Sequence, residues 1–442
     1  MANPHNQFHL AVFLLAGGHH VSGWRHPEAD ALGVHDFNYY KRLAQTAERG
    51  KFDAFFFADV LGIGQNDRRF DPSNVRLDPM LPLAALAVVT ERIGLVATVS
   101  TSYNEPFNVA RRFATLDHLS NGRASWNVVT SFKSQEANNF NQHSLPDPSV
   151  RYERAREFVQ VVKGLWDSWE EDALVADKER GIFSLEDKIH DLNHEGKHFS
   201  VRGPLNISRP PQGHPVIFQA GTSEGGKELA AETAEAVFTA WSTLENAVKY
   251  YQDVKGRLAR YGRTPDQLKI MLGLIPIVGR TEEEAERKER ELQNLLLPEV
   301  GVAKLSYMFG YDLSPFPIDE PLPKSFNLGD SHGASSRFQP IKDIADREQL
   351  TIRQLYERYA GNRGHLQVKG TPEQIADIME EWFVAGAADG FNILPPYLPG
   401  GLDDFVDLVV PELQRRGLFR TEYEGTTLRE HFGLSRPANR FH

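Results

Sequence analysis

The sequence predicts an α/β fold of the TIM-barrel type, a (β/α)8 barrel with insertion segments, as one domain spanning residues 1–442. Three observations predict it. Eight short apolar runs recur along the chain, a helical pattern follows each, and neither a solenoid-length repeat nor an interdomain linker breaks the alternation. With 40% hydrophobic and 25% charged residues, the chain can bury a large core.

The strands are expected at His9–Leu14, Ala54–Ala58, Ile93–Val99, Arg123–Asn127, Val216–Gln219, Ala236–Ala240, Ile270–Val278 and Phe391–Leu394. The first helix shows Tyr40, Leu43, Ala44 and Ala47 on one face and stops at Gly50, a residue suited to a left-handed cap. A helix over Arg151–Trp166 buries Tyr152, Ala155, Val159 and Val162. The run Thr281–Leu292 places Glu283/Arg287, Glu284/Lys288 and Glu286/Arg290 four residues apart, as a solvated helix face without a partner does. Thr371-Pro372-Glu373-Gln374 reads as a capping box with proline at the first helical position, ahead of Ile375, Ile378, Met379 and Trp382. Three interruptions, near 60–78, 131–214 and 300–365, exceed ordinary connections and read as lids or binding loops; the last holds Ser314-Pro315-Phe316-Pro317.

Composition narrows the function. Lys and Arg number 49 against 60 Asp and Glu, and a net charge of −11 disfavours attraction to nucleic-acid phosphates. Without cysteine the chain has no disulfide, iron–sulfur ligand, thiolate zinc site or thiol nucleophile, so redox chemistry must come from a cofactor. The apolar run Leu10–Ala16 has no Lys or Arg before it, unlike a secretory signal, and no stretch reaches the roughly 20 apolar residues of a spanning helix. A cytoplasmic location is the expectation.

The G-x-G-x-x-G fingerprint is absent, since Gly62-Ile63-Gly64 is followed by Gln65, Asn66 and Asp67, and so is the Walker loop. What the chain offers a phosphate is Ala220-Gly221-Thr222-Ser223-Glu224-Gly225-Gly226, a small-residue turn opening a helix; taken alone, an ordinary left-handed glycine turn is the commoner account of it. Asp59 ends the second strand, where it can fix a ligand N–H or cap the next helix. Thr98, Asn127 and Ser131 fall at the ends of the third and fourth strands, and such neutral donors and acceptors suit a heteroaromatic ring better than hydrolysis. Arg151 and Tyr152 can reach a phosphate, or be a surface cation beside a packed ring. His19, His20 and His26 lack a third ligand at metal spacing, so no metal is expected. Few basic residues mark the first-strand rim, which leans against a multiply charged acid as substrate.

Taken together, Trp24-Arg25-His26-Pro27, Glu48-Arg49-Gly50-Lys51-Phe52-Asp53, Ala58-Asp59, Ala114-Thr115-Leu116-Asp117, Trp126-Asn127-Val128-Val129-Thr130-Ser131, Arg151-Tyr152, Gln219-Ala220-Gly221, Ala388-Asp389-Gly390-Phe391 and Val410-Pro411-Glu412-Leu413 resemble the bacterial-luciferase-like flavin monooxygenases. The branch is that of nitrilotriacetate monooxygenase, pristinamycin IIA synthase and dibenzothiophene sulfone monooxygenase, with the sulfone enzymes nearest. The resemblance implies FMN at the C-terminal rim, contacted by Asp59, Thr98, Tyr152 and Ser223, with Asn127 and Ser131 on the ring edge and Arg151 and Gly221 completing the cofactor set. It implies reduced FMN and O2 as co-reactants through a C4a-peroxyflavin or related adduct, a separate NAD(P)H:FMN reductase, and a homodimer or homotetramer. At the reacting end it points to His20 for protonation or substrate orientation, Phe57 and Phe132 as apolar walls, and Asn127. The substrate expected is a small aromatic, heterocyclic, or sulfur- or nitrogen-containing compound. Two departures stand out: Pro148 occupies the place of a histidine that many members use, and Phe132 that of a histidine in the alkane enzyme. The alternatives are a deazaflavin-dependent dehydrogenase of the same fold, a non-catalytic flavin-binding protein, and a barrel hydrolase for which Asp59 has no visible second acid.

Overall fold

A computed structural model describes residues 7–63, 69–70, 72–131, 133–323, 326, 334–359, 361 and 363–441. All eight expected strands form, with no end moved by more than two residues: β1 (His9–Leu14), β2 (Ala54–Phe57), β3 (Gly94–Ser100), β4 (Ala124–Val129), β5 (Val216–Ala220), β6 (Ala236–Thr239), β7 (Lys269–Val278) and β8 (Gly390–Ile393). Each pairs in parallel with the next, and β8 returns to β1 with His9 opposite Gly390, closing the barrel. A further strand, Leu366–Gly370, lies parallel to the far end of β7.

Alternation along each strand sorts side chains into two layers. Ala11, Ala54, Phe56, Val96, Phe218 and Met271 fill the interior. Leu10, Val12, Phe55, Phe57, Leu95 and Ile217 face outward under the helices. The C-terminal segment plugs the N-terminal end of the barrel: Leu428 and Phe432 join the interior layer, and Arg420 stands 2.5 Å from the fully buried Asp53. With one end sealed, the open mouth is the C-terminal rim.

The Thr371 capping box forms, with Gln374 donating to Thr371 and receiving its backbone N–H in return. Gly50 does not take the left-handed conformation: its φ is −72°, and Lys51 adopts φ 60° in its place. Gly50 is small because a Cβ there would come within about 3.0 Å of Val406. The charged helix, Glu282–Asn294, is not purely a solvated face, since Lys288 bridges to Asp404 at 2.7 Å as well as to Glu284 at 3.5 Å.

The long interruptions carry structure. Residues 131–214 hold the helix Pro148–Trp166 and two small hairpins. Residues 300–365 contribute to the helices Pro298–Phe309, Ala334–Glu348 and Ile352–Tyr359, around a separate apolar cluster that includes Val302, Leu305, Phe309, Leu355 and Tyr356. Val21, from the loop after β1, belongs to that cluster and ties the insertion to the mouth. No helix among the described residues is long and apolar enough to cross a membrane.

Candidate active site at the barrel mouth

The rim is built from strand-end side chains that point inward. Thr98 donates to the Phe57 carbonyl at 2.7 Å and accepts from the Asn127 amide at 2.9 Å. That bond fixes the amide, leaving the Asn127 carbonyl oxygen buried without a hydrogen-bond partner in a residue 3% exposed. On β8, Asn392 is fully buried with both polar side-chain atoms unpartnered. Leaving such groups unpaired costs on the order of 1–3 kcal/mol each. They suit a polar ligand.

The fourth-strand loop is held from outside. Ser131 adopts φ 53°, its hydroxyl meets that of Ser100 at 2.8 Å, and its carbonyl accepts from Arg151. Arg151 also donates to the Pro146 carbonyl at 3.0 Å, so its guanidinium braces this loop.

The 220–226 segment has no left-handed turn: Gly221, Gly225 and Gly226 all lack positive φ. Ser223 is instead the N-cap of helix Glu224–Thr233, accepting from the Gly226 N–H at 3.2 Å while its hydroxyl lies 2.8 Å from that of Tyr152. Small residues are required here for packing. A Cβ on Gly225 would meet the Tyr152 ring at 2.6 Å, and one on Gly221 would meet the Gly226 backbone at 3.3 Å. A helix N-terminus with free N–H groups and two adjacent hydroxyls favours an anion.

Asp59 does not cap the next helix, whose N-cap position is Pro79 and whose Met80 N–H goes to Asp78 at 2.9 Å. Asp59 accepts from the Val60 N–H at 2.8 Å, and burial pushes its carboxyl up to about 6 against the pull of that N–H and of Arg76. His20 is buried, accepts from the Ser22 N–H at 3.2 Å, and packs its ring against Gly361. Burial, then the Arg363 charge, lowers His20 to about 4, so it is neutral near pH 7.

Phe57, read as an apolar wall, lies in the outer apolar layer, its ring 5.2 Å from that of Tyr40. The inward rings are Phe13, Phe56 and Phe238, with Phe13 and Phe238 stacked at 5.0 Å. Phe132 lies outside the described residues. Pro148 occupies the first position of helix Pro148–Trp166, where a missing N–H costs nothing. Sequence reasoning missed Ser100, Asn392, Arg76, Arg363 and His365. Only Asn392, a polar residue inside an apolar strand, carried a signal.

A closed parallel barrel with one plugged end, an anion cradle and inward polar groups on the other is a (β/α)8 enzyme built around an extended polar ligand. The chain belongs to the luciferase-like monooxygenase family, whose signature matches residues 12–389, and it is an oxidoreductase of the flavin-dependent monooxygenase type. It is 54% identical to N-acetyl-S-(2-succino)cysteine monooxygenase of Bacillus subtilis (strain 168), over 100% of both chains. Nitrilotriacetate monooxygenase component A of Aminobacter aminovorans is 52% identical over 98% of each chain. A solved riboflavin lyase with modified FMN and substrate riboflavin is 32% identical, with a TM-score of 0.86, over 98% of this chain and 97% of that one. The sulfone branch, expected nearest, stands further off: the Rhodococcus erythropolis (strain XP) enzyme is 44% identical over 98% of this chain and 97% of its own.

Proposed function

We propose that the chain is the oxygenating component of a two-component system, using reduced FMN and O2 to oxidise a small organic compound containing sulfur or nitrogen. One observation carries the reading: the Tyr152–Ser223 hydroxyl pair at a helix N-terminus shares a rim with the unpartnered Asn127 carbonyl. The residues fit the cofactor. Ser223, Tyr152 and the backbone at Gly221 suit the phosphate, while Asp59, Thr98, Asn127 and Ser131 suit the polar edge of the ring system. Bound reduced FMN supplies the electrons that activate O2. The protein's share is to hold the ring edge through the Thr98–Asn127 pair and to exclude water with Phe13, Phe56 and Phe238 beneath it.

A relative named as a component A supports a separate NAD(P)H:FMN reductase as the electron source. Dependence on that reductant fits a cytoplasmic enzyme. Leu81, Val88 and Leu119, all more than half exposed on or beside the helices Met80–Ala87 and Pro106–Leu119, support a homodimer through this face. Residues 60–78, 131–214 and 300–365 serve as shielding insertions on a single flavin-binding domain.

The test is to supply reduced FMN from an added reductase and follow O2 uptake and product. Turnover needing both FMN and O2 supports the proposal. Anaerobic turnover would point to the deazaflavin-type dehydrogenase, and flavin binding without oxidation of any compound to a binding protein.

A further inference from the structure

The first-strand rim is poor in basic residues along the sequence, yet the folded mouth imports two guanidinium groups from distant segments. Arg363, at the end of the 300–365 insertion, donates its Nε–H to the His19 carbonyl at 3.0 Å. Arg76, from the 60–78 segment, donates to the Ser73 carbonyl at 2.7 Å and to the Ala58 carbonyl at 3.4 Å. The positive charges of both, and of His365 when protonated, are felt by the His19 ring.

His19 is 1% exposed, and neither ring nitrogen has a hydrogen-bond partner. Burial first, then the neighbouring positive groups, keep it neutral, so one nitrogen donates and the other accepts. Its ring stands 5.1 Å from Phe13, which stacks on Phe238 at 5.0 Å, which stacks in turn on His365 at 5.5 Å. Gly273 on β7 leaves room for His365, whose Nδ1 a Cβ there would meet at 2.3 Å. The mouth thus has an aromatic floor with an imidazole at each end, and two guanidinium groups whose charge is felt at the His19 end. Asp59, Asp78 and Glu136 share the local field of Arg76, whereas Arg363 is held directly on the His19 backbone.

We propose that His19 and Arg363, assisted by Arg76, form a subsite for a carboxylate carried by the substrate. The proposal rests on the flavin reading of the same mouth and deepens it: the compound to be oxidised is an anionic carboxylic acid rather than a neutral hydrocarbon or sulfone. Arg363 supplies charge, His19 a buried donor without charge of its own, and the Phe13–Phe238 floor receives the apolar part next to the carboxylate. Arg363 acts as a specificity residue, and its bond to the His19 carbonyl also couples the insertion to the binding step.

The experiment begins with FMN titration of the purified chain, followed by calorimetric titration of the FMN-loaded protein with succinate and, separately, with neutral dimethyl succinate. Succinate is expected to bind saturably and the diester at least about tenfold more weakly. Arg363→Gln and His19→Gln should each weaken succinate about tenfold, roughly 1.4 kcal/mol, with FMN affinity within about twofold of the parent. Arg363→Lys should recover part of the loss. Absence of succinate binding, equal binding of the diester, or an Arg363→Gln variant that loses FMN and succinate together would overturn the subsite. Failure to bind FMN rejects the flavin reading instead, and the succinate series on the flavin-free chain then decides the subsite independently.

Discussion

The hydroxyls of Tyr152 and Ser223 stand 2.8 Å apart, joining the start of helix Pro148–Trp166 to the N-terminus of helix Glu224–Thr233. Two hydroxyls beside free helix N–H groups can both turn toward one anion. Tyr152→Phe and Ser223→Ala are each expected to weaken FMN about tenfold, the scale of one hydrogen bond to a charged group. Because the two act as a pair, the double variant should lose less than the product of the single losses. Ser223→Ala should also cost about 1 kcal/mol of stability as a lost N-cap. Fluorescence titration and urea unfolding read the two effects apart; strictly multiplicative losses in affinity would show that the hydroxyls do not share a ligand.

Gly225 offers a test of the same cradle from behind. An alanine Cβ would meet the Tyr152 ring at 2.6 Å, so Gly225→Ala should swing the phenol away and weaken FMN as much as Tyr152→Phe does. Equal affinity to the parent would mean the ring has no part in binding.

Asp59 predicts opposite pH trends for binding and folding. Burial raises its carboxyl from 3.8 to about 6. An ionised Asp59 accepting from the flavin should therefore bind FMN more tightly as pH rises through about 6, and Asp59→Asn should flatten that profile. For stability the sign reverses. The folded chain holds a proton that the unfolded chain releases between about pH 4 and 6, so this group's contribution is lost as pH rises through that window. The variant should lack that slope in denaturation curves recorded across the same range.

At the plugged end, Asp53 is fully buried, with Arg420 at 2.5 Å, His9 at 3.2 Å and the Leu10 N–H at 2.8 Å. Burial pushes the carboxyl up, but Arg420 and His9 outweigh it and hold it below its ordinary range. Arg420→Met leaves that charge uncompensated and should cost roughly 3–5 kcal/mol in urea unfolding. FMN affinity of the folded fraction should not change, because the rim proposed to hold the cofactor is at the other end of the barrel.

The barrel was legible because each strand is a local event: β1 begins and ends where the apolar run His9–Leu14 does, and the Thr371–Gln374 box forms from four adjacent residues. Thr98, Asn127 and Asp59 were legible for a related reason, since the end of a strand is also the rim of a barrel. Phe55, Phe56 and Phe57 are equally apolar in the sequence, and only the register of β2 against β1 and β3 decides that Phe56 joins the interior while Phe57 joins the outer layer. Gly50 was misread because its smallness answers Val406, a residue met through packing and not through the chain.

By itself the sequence determined the alternation of strand and helix, the strand positions to within two residues, the absence of thiol chemistry and the polar residues that stand at the strand ends. Only the tertiary structure decided which of them meet. Periodicity and capping act over a few residues, whereas the Tyr152–Ser223 pair, the Arg363–His19 contact and the His19–Phe13–Phe238–His365 stack join segments up to 346 positions apart, as 365 − 19 gives. Barrel closure and the packing of the insertions, driven by burial of apolar surface across the whole molecule, bring those segments to one mouth.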